Sequence, residues 1–176
     1  MRIIATTAIL IAIATPAYAQ ETFPEKDFGR WTVYGYANDC WMTTTLEDGV
    51  DLKLSPDRNR TDLYFTLRSE AWTSIEKSKR YPIRIEFGSV DEVITGFGST
   101  SENLAPGVGM FLKSPSLAYL PILEKAPTIR FSLNGKPVVT LSLTGSAPAF
   151  AYFRQCIKSN MPGDPFASAK ADDPFK

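Results

Sequence analysis

Apolar and polar residues alternate with a period of two along most of this 176-residue chain. That period places successive side chains on opposite faces of an extended strand, so each alternating segment is predicted to be a strand with one buried face. The clearest segments are 31–36, 40–45, 50–54, 63–67, 81–87, 93–97, 129–133 and 139–143. They predict a mainly β protein, either an antiparallel β-sandwich or a partly open barrel of about eight or nine strands.

One hairpin and one helix are predicted near the end of the alternating region. Asn134-Gly135 is the preferred sequence for a type I′ turn between two strands. After Gly145 the apolar spacing changes to three and four residues, which indicates a C-terminal α-helix over 148–158 with Ser146 as its N-cap. The predicted buried stripe of this helix is Ala149, Phe150, Phe153, Cys156 and Ile157.

Three segments between the strands lack a clear period. The stretch 98–109 is rich in Gly, Ser and Asn, and we interpret it as a connection. Residues 72–79 are expected to form a loop or a short helical turn. Residues 116–125 suit one or two helical turns, which Pro121 limits.

The N-terminus has the three parts of a secretory signal peptide. Arg2 is followed by an apolar run of about twelve residues, too short for the roughly 20 that a membrane-spanning helix needs. Ala17-Tyr18-Ala19 fits signal peptidase, so residues 1–19 are predicted to be removed by cleavage after Ala19. The mature chain is then expected in the periplasm or outside a bacterial cell, with no membrane span.

The mature chain is expected to form one domain with a polar segment at each end. Residues 20–28 are predicted to be a polar leader and 29–160 a single β-rich domain. Residues 161–176 are predicted to be a flexible tail, which contains the tripeptide Asp-Pro-Phe twice.

Export changes the interpretation of the two cysteines, Cys40 and Cys156. In an oxidising compartment they are expected to form a disulfide between the first strands and the terminal helix. A metal site and a reactive thiol are the alternatives, although two cysteines without histidine make a poor zinc site.

Composition argues against most catalytic chemistry. The chain has no histidine and a net charge of zero, which disfavours Ser-His-Asp catalysis and nucleic-acid binding. No cofactor-binding motif occurs, so we expect no cofactor and no enzymatic activity. A carboxylate-based cell-wall hydrolase is the remaining enzymatic alternative, since glycoside hydrolysis needs only two carboxylates. Its candidate residues are Asp57, Asp62, Glu70, Asp91, Glu92 and Glu102.

One basic cluster is a candidate for partner binding. Lys77, Lys79 and Arg80 lie beside Trp72 in the sequence, and basic side chains next to aromatic ones suit an anionic polymer or headgroups. A solvated loop is the alternative. Of the other tryptophans, which could also form a carbohydrate platform, we assign Trp31 and Trp41 to the core.

Two short stretches carry a resemblance to a known family. Residues 28–33 (FGRWTV), followed by Cys40, resemble the opening of small exported alphaproteobacterial proteins of the invasion-associated locus B type. Residues 141–146 (LSLTGS), leading to Cys156, resemble the end of related secreted modules. The resemblance implies a periplasmic or surface β-rich protein linked to the envelope or to host interaction, with no catalytic residues.

These observations favour an exported, non-enzymatic protein that binds an unknown protein or envelope component, with function residing in loops on a rigid scaffold. A carrier of a small apolar ligand is the second hypothesis, because β-barrels of this size can enclose one.

Overall fold

A computed structural model describes residues 23–36, 39–57, 61–101, 104–112 and 116–160. The predicted signal peptide with its cleavage after Ala19, and the predicted tail 161–176, lie outside the described residues. Within the described ranges, no helix is both long enough and apolar enough to cross a membrane.

Strands make up most of the described chain. They are β1 (Lys26–Phe28), β2 (Trp31–Tyr36), β3 (Asp39–Thr45), β4 (Asp51–Pro56), β5 (Leu63–Arg68), β6 (Arg80–Phe87), β7 (Val90–Ser101), β8 (Leu104–Phe111), β9 (Thr128–Leu133) and β10 (Lys136–Ser142). A 3-10 turn at Ser116–Tyr119 leads into helix α1 (Leu120–Lys125), and helix α2 (Ala147–Asn160) follows β10.

All ten strands belong to one antiparallel sheet, in the order β1-β2-β3-β4-β5-β8-β7-β6-β9-β10. The prediction of a mainly β chain with a C-terminal helix is confirmed. The predicted count of eight or nine strands is too low, and a sandwich of two sheets is not what forms. The segment 20–28, predicted to be a leader, contributes β1 at Lys26–Phe28.

The single sheet curls into a half-barrel. Phe65 on β5 and Phe131 on β9 are four strands apart in the sheet, which would separate them by about 19 Å if it were flat. Their ring centroids are instead 5.9 Å apart, and both side chains are fully buried. The curl therefore closes the inner face onto itself, and we call the opposite, solvent-facing side the outer face.

The prediction that 98–109 is a connection is wrong, because this stretch contains the end of β7 and most of β8. Its glycines are strand residues that allow close packing. A Cβ added at Gly98 would collide with the carbonyl oxygen of Glu76, and one at Gly107 would collide with that of Leu67. The high glycine content here therefore reflects the close approach of neighbouring backbone segments, and it does not indicate a turn.

The predicted hairpin and helical turns are confirmed. Asn134 and Gly135 both have positive φ, at 52° and 75°, as a type I′ turn requires. The predicted short helical segment at 116–125 forms the 3-10 turn and α1, with Pro121 in the first helical turn, where its missing N–H costs nothing.

Helix α2 lies on the inner face with its predicted stripe buried. Phe150 packs against Trp31 of β2 with ring centroids 5.8 Å apart, and Phe153 is fully buried. Ser146 occupies the predicted position before the helix, and its carbonyl accepts the N–H of Phe150 at 3.0 Å. Its hydroxyl donates to the carbonyl of Leu143 at 2.6 Å, which ties the start of the helix to the segment after β10.

The predicted disulfide between Cys40 and Cys156 is present. Its Cα atoms are 6.0 Å apart, and both residues are fully buried between β3 and α2. Since both cysteines are in the disulfide, the metal-site and reactive-thiol alternatives do not apply.

Candidate functional site

The predicted basic cluster does not form one continuous surface. Trp72 is half-buried and packs against the core, whereas Lys77 is exposed. Lys79 forms an ion pair with Glu76, and Arg80 lies over the ring of Phe97 at 5.9 Å. Each member of the cluster therefore has a different environment.

The loop that carries this cluster is hydrogen-bonded to Gly98 on β7. Ser78, at φ 62°, donates its backbone N–H to the carbonyl of Gly98 at 2.8 Å, and Gly98 donates back to the carbonyl of Lys79. The hydrogen bond to Glu76, together with its negative charge, raises the pKa of the Lys79 ammonium. Part of the positive charge of this loop is thus neutralised within the loop.

The candidate carboxylates have structural contacts. Asp91 accepts two hydrogen bonds from Arg84, at 2.8 and 2.6 Å, and these hold the pKa of Asp91 below its usual range. Glu92 accepts a hydrogen bond from the hydroxyl of Tyr119 at 3.1 Å, which raises the pKa of that tyrosine.

Two of the remaining carboxylates, Asp57 and Asp62, accept backbone N–H groups. Asp57 accepts the backbone N–H groups of Thr61 and Asp62 at 2.8 and 2.9 Å, so it shapes the loop after β4. Asp62 accepts the backbone N–H of Ser116 at 3.3 Å. Glu70 is exposed, and Glu102 lies outside the described residues.

An aromatic pair occupies the outer face near the β1 edge of the sheet. Tyr34 on β2 and Trp41 on β3 are cross-strand neighbours whose rings stack at 13° with centroids 5.4 Å apart. The ammonium of Lys53 on β4 lies over the Trp41 ring at 4.6 Å. Tyr36, at the end of β2, is 67% exposed. The outer face therefore carries two stacked, half-buried rings with a cation over one of them, and an exposed ring, that of Tyr36, at the end of β2.

The sequence-based assignment of Trp41 to the core is wrong, whereas that of Trp31 is confirmed. On β3 the inward side chains are Cys40, Met42 and Thr44, so Trp41 has the opposite parity and points outward. Sequence analysis overlooked this surface, although the inward position required of a disulfide cysteine would have identified it.

A groove of about 600 Å³ adjoins the aromatic pair and crosses β3, β4 and β5 on the outer face. We call it the strand groove. It is lined by Thr43, Thr45, Asp51, Leu52, Lys53, Ser55, Tyr64, Thr66, Arg68 and Leu104. Its lining combines hydroxyls with two cations and one carboxylate, which suits hydrogen bonding to a polar ligand.

A second concavity of about 470 Å³ lies on the other side of the aromatic pair. Tyr34 and Trp41 form one wall, and residues 23–25 form the other. Phe23 is held in place by the ring of Tyr152 on α2, with centroids 4.7 Å apart. The aromatic pair thus separates two adjoining depressions.

Large side chains fill the inside of the half-barrel. Those that are almost fully inaccessible to solvent are Phe65, Phe131, Phe150, Phe153, Met42, Leu52, Leu54, Leu63, Leu67, Ile85, Met110 and Leu123. They come from both halves of the sheet and from both helices, so this volume forms the hydrophobic core.

Comparison with known proteins yields a likeness of fold. No protein-family model and no curated protein sequence matches the chain. Among solved structures, the crystal structure of invasion associated protein B from Bartonella henselae is similar, with a TM-score of 0.54. The two chains are 14% identical in sequence, and the matched region covers 77% of this chain and 99% of the Bartonella henselae chain.

The likeness is one of fold. At 14% identity it supports the resemblance carried by residues 28–33 and 141–156 at the level of architecture. The alphaproteobacterial origin in that resemblance stays a prediction.

Proposed function

We propose that this chain is an exported, non-enzymatic binding protein of the periplasm or cell envelope, and that its partner docks on the outer face around the aromatic pair. The carrying observation is the half-buried Tyr34–Trp41 stack on the outer face, with Lys53 over the Trp41 ring and the exposed Tyr36 lining the same concavity. Tyrosine and tryptophan are enriched at protein interfaces and carry much of the binding energy there, so an outer face with Tyr34, Tyr36 and Trp41 favours a binding surface.

Two further observations support an extracytoplasmic role. Disulfides such as Cys40–Cys156 form and persist in oxidising compartments, which agrees with the predicted signal peptide. The similar solved structure is that of an invasion associated protein, and an envelope role for this chain is compatible with that likeness of fold.

The alternatives receive less support from the geometry. A carrier of small apolar ligands needs internal volume, and the inside of the half-barrel is filled by the core. A hydrolase needs two cooperating carboxylates, whereas Asp91 is paired with Arg84 and Asp57 shapes a loop.

Site-specific photo-crosslinking in living cells tests the proposal. A photoreactive amino acid replaces Tyr36, which is exposed at the end of β2, and in a matched control it replaces the exposed Thr140 on β10. We expect an adduct of discrete mass from position 36 and none from position 140. Trp41→Ala in the same chain should abolish the adduct, because it removes the larger ring of the aromatic pair.

Two results would contradict the proposal. One is the same adduct pattern from positions 36 and 140, which would indicate unspecific collisions. The other is an adduct that persists with Trp41→Ala but disappears with Phe97→Ala, which would move the docking surface to the Arg80 side of the sheet.

A further inference from the structure

We infer that the second concavity binds an extended peptide segment of a partner protein, which adds a strand to β2 beyond the end of β1. This inference rests on the proposed function and names the class of partner for the surface around the aromatic pair. The direction of the backbone groups of β2, the position of Pro24 and the lining of the concavity support it.

The short strand β1 covers only half of the edge of β2. Its three residues pair with residues 31–33, so within the described chain residues 34–36 have no strand beside them on that side. If the register of β1 and β2 continued, Pro24 would lie opposite Gly35. A proline has no N–H to donate, so the ladder between the two strands ends before this pair.

The backbone N–H and C=O of Gly35 point towards this uncovered part of the edge. Leu46, the residue after β3, donates its N–H to the carbonyl of Val50. Because hydrogen bonds alternate between the two sides of a strand, the even-numbered residues of β3 bond to β4 and the odd-numbered ones to β2. Trp41 therefore bonds to its neighbour Tyr34, and the next residue of β2, Gly35, directs its backbone groups to the other side. Gly35 also lines the second concavity, so the donor and the acceptor open onto it.

Within the described residues, both backbone groups of Gly35 lack a partner on the β1 side. The carbonyl of Pro24 accepts a hydrogen bond from the hydroxyl of Tyr152 at 3.0 Å, and no hydrogen bond joins residues 23–25 to Gly35. Gly35 is half-buried, and an unpaired backbone group is costly where water is excluded. An extended peptide supplies a donor and an acceptor on one residue, which is how a peptide adds a strand to the edge of a sheet.

The side chains next to Gly35 favour apolar residues on both sides of the residue that pairs with it. Side chains alternate along a strand, so the ligand residues before and after the pairing residue would lie beside Tyr34 and Tyr36 on the outer face. Tyr36 is 67% exposed, so covering its ring with an apolar side chain removes apolar surface from water and stabilises the complex.

A carboxylate determines the charge of the concavity. Among the described residues that line it, Glu25 alone is charged; it is exposed and forms no ion pair within that part of the chain. The ligand residue opposite Gly35 would point to the inner face, on which Tyr152 of α2 holds residues 23–25. A lysine or arginine at that position complements Glu25. The partner segment is therefore extended, with a basic residue between two apolar ones.

A capped pentapeptide of sequence Ser-Val-Lys-Val-Ser tests the inference on the full mature chain. The matched probe is methylated on the backbone nitrogen of its lysine, which removes the N–H that the carbonyl of Gly35 would accept and keeps every side chain. We expect an NMR titration to show binding of the parent peptide with a shift of the Gly35 amide proton. The methylated form should bind at least about tenfold more weakly, the scale of one unsatisfied hydrogen-bonding group.

A third peptide, methylated on the backbone nitrogen of its second valine, is the control. In an added antiparallel strand this N–H points away from β2, because hydrogen bonds alternate between the two sides of a strand. We therefore expect this peptide to bind like the parent peptide.

Glu25→Lys in the protein is expected to weaken binding of the parent peptide about fivefold, because it replaces the charge that attracts the peptide lysine with one that repels it. Glu70→Lys is the matched variant, since Glu70 is an exposed carboxylate outside the lining of the concavity. We expect it to bind like the unmodified chain. A thermal midpoint within error of the parent chain verifies that each variant is folded.

Several results would overturn the inference. Equal affinity of all three peptides would show that binding does not use the backbone of the strand edge, and equal losses in Glu25→Lys and Glu70→Lys would place the peptide elsewhere. Binding only to a chain truncated after Asn160 would identify residues 161–176 of this chain as the occupant. If no peptide binds but photo-crosslinking at position 36 yields its discrete adduct, the proposed function stands and the inference on its partner fails.

Discussion

At the scale of single residues, the clearest electrostatic interaction is the ion pair between Arg84 on β6 and Asp91 on β7. The lowered pKa of Asp91 means that the folded chain holds this carboxylate ionised at a pH where the unfolded chain begins to protonate it. The pair therefore contributes to stability above the pKa of an unperturbed Asp, and that contribution is lost as the pH falls through the lowered pKa. Both side chains are about half exposed, so the contribution is small.

Arg84→Gln is expected to raise the pKa of Asp91 towards that of an ordinary aspartate, because the hydrogen bonds from Arg84 are the largest cause of the shift. An NMR titration of the Asp91 side-chain carboxyl carbon measures it. Arg130→Gln, on the neighbouring strand β9, is the control and should leave the Asp91 titration unchanged. An unchanged Asp91 pKa in Arg84→Gln would show that the pair does not form in solution.

The alternation of side chains along a strand decides which of the tryptophans could be placed correctly from the sequence. Trp31 follows the alternation of β2 and is buried as predicted. The prediction that Trp41 lies in the core is wrong, because the period of two places its side chain outward once Cys40 is inward. Most of the strand groove lies on β3, β4 and β5, which are consecutive along the chain and neighbours in the sheet, whereas the position of Leu104 beside it could not be predicted because β5 pairs with β8 rather than β6.

At the scale of elements, helix α2 depends on the sheet for its stability. Its 14 residues are near the lower limit for a helix that persists alone in water, so docking of the buried stripe and the disulfide must supply the rest. The buried stripe and the disulfide could both be predicted from the sequence, since the spacing of three and four residues places Phe153 and Cys156 on the same side of the helix. The end of β7 and the start of β8 could not be predicted, because a strand rich in glycines that permit close packing has the same composition as a turn.

Cys40→Ala and Cys156→Ala are each expected to lower the free energy of unfolding by about 2–5 kcal/mol. The double variant should cost little more than either single one, since both remove the same bond. Urea denaturation of the four proteins measures the cycle, and reduction of the parent chain is the control that should match the double variant. Additive losses would contradict a shared bond and the docking of α2 that depends on it.

At the scale of the whole molecule, the curl of the sheet joins both halves of the chain in one core. Phe65 and Phe131 meet although the strands that carry them are four positions apart. This closure could not be predicted from the alternation, which indicates a buried face but not how far the sheet bends. The sheet edges are protected by the three-residue β1 and by Lys136 and Pro137 on β10, where the register shifts.

Truncation after Asn160 is expected to leave the thermal midpoint unchanged within error, because no alternating or helical apolar pattern continues into 161–176. Differential scanning calorimetry of the full and truncated mature chains measures this. Truncation after Gly145, which also removes α2 and Cys156, is the contrasting variant and should abolish the cooperative transition. A large drop on removing 161–176 alone would mean that these residues pack on the domain.

The Cys40–Cys156 disulfide also determines how the molecule would respond to mechanical tension. It closes a loop with a sequence separation of 116 residues that contains β4 to β10 and α1. When the two ends of the chain are pulled apart, the force passes through the covalent bond from β3 to α2 and bypasses everything between them. Only the segments outside the loop, including β1 and β2, can be peeled away, so the strand groove on β3 to β5 would keep its shape under load.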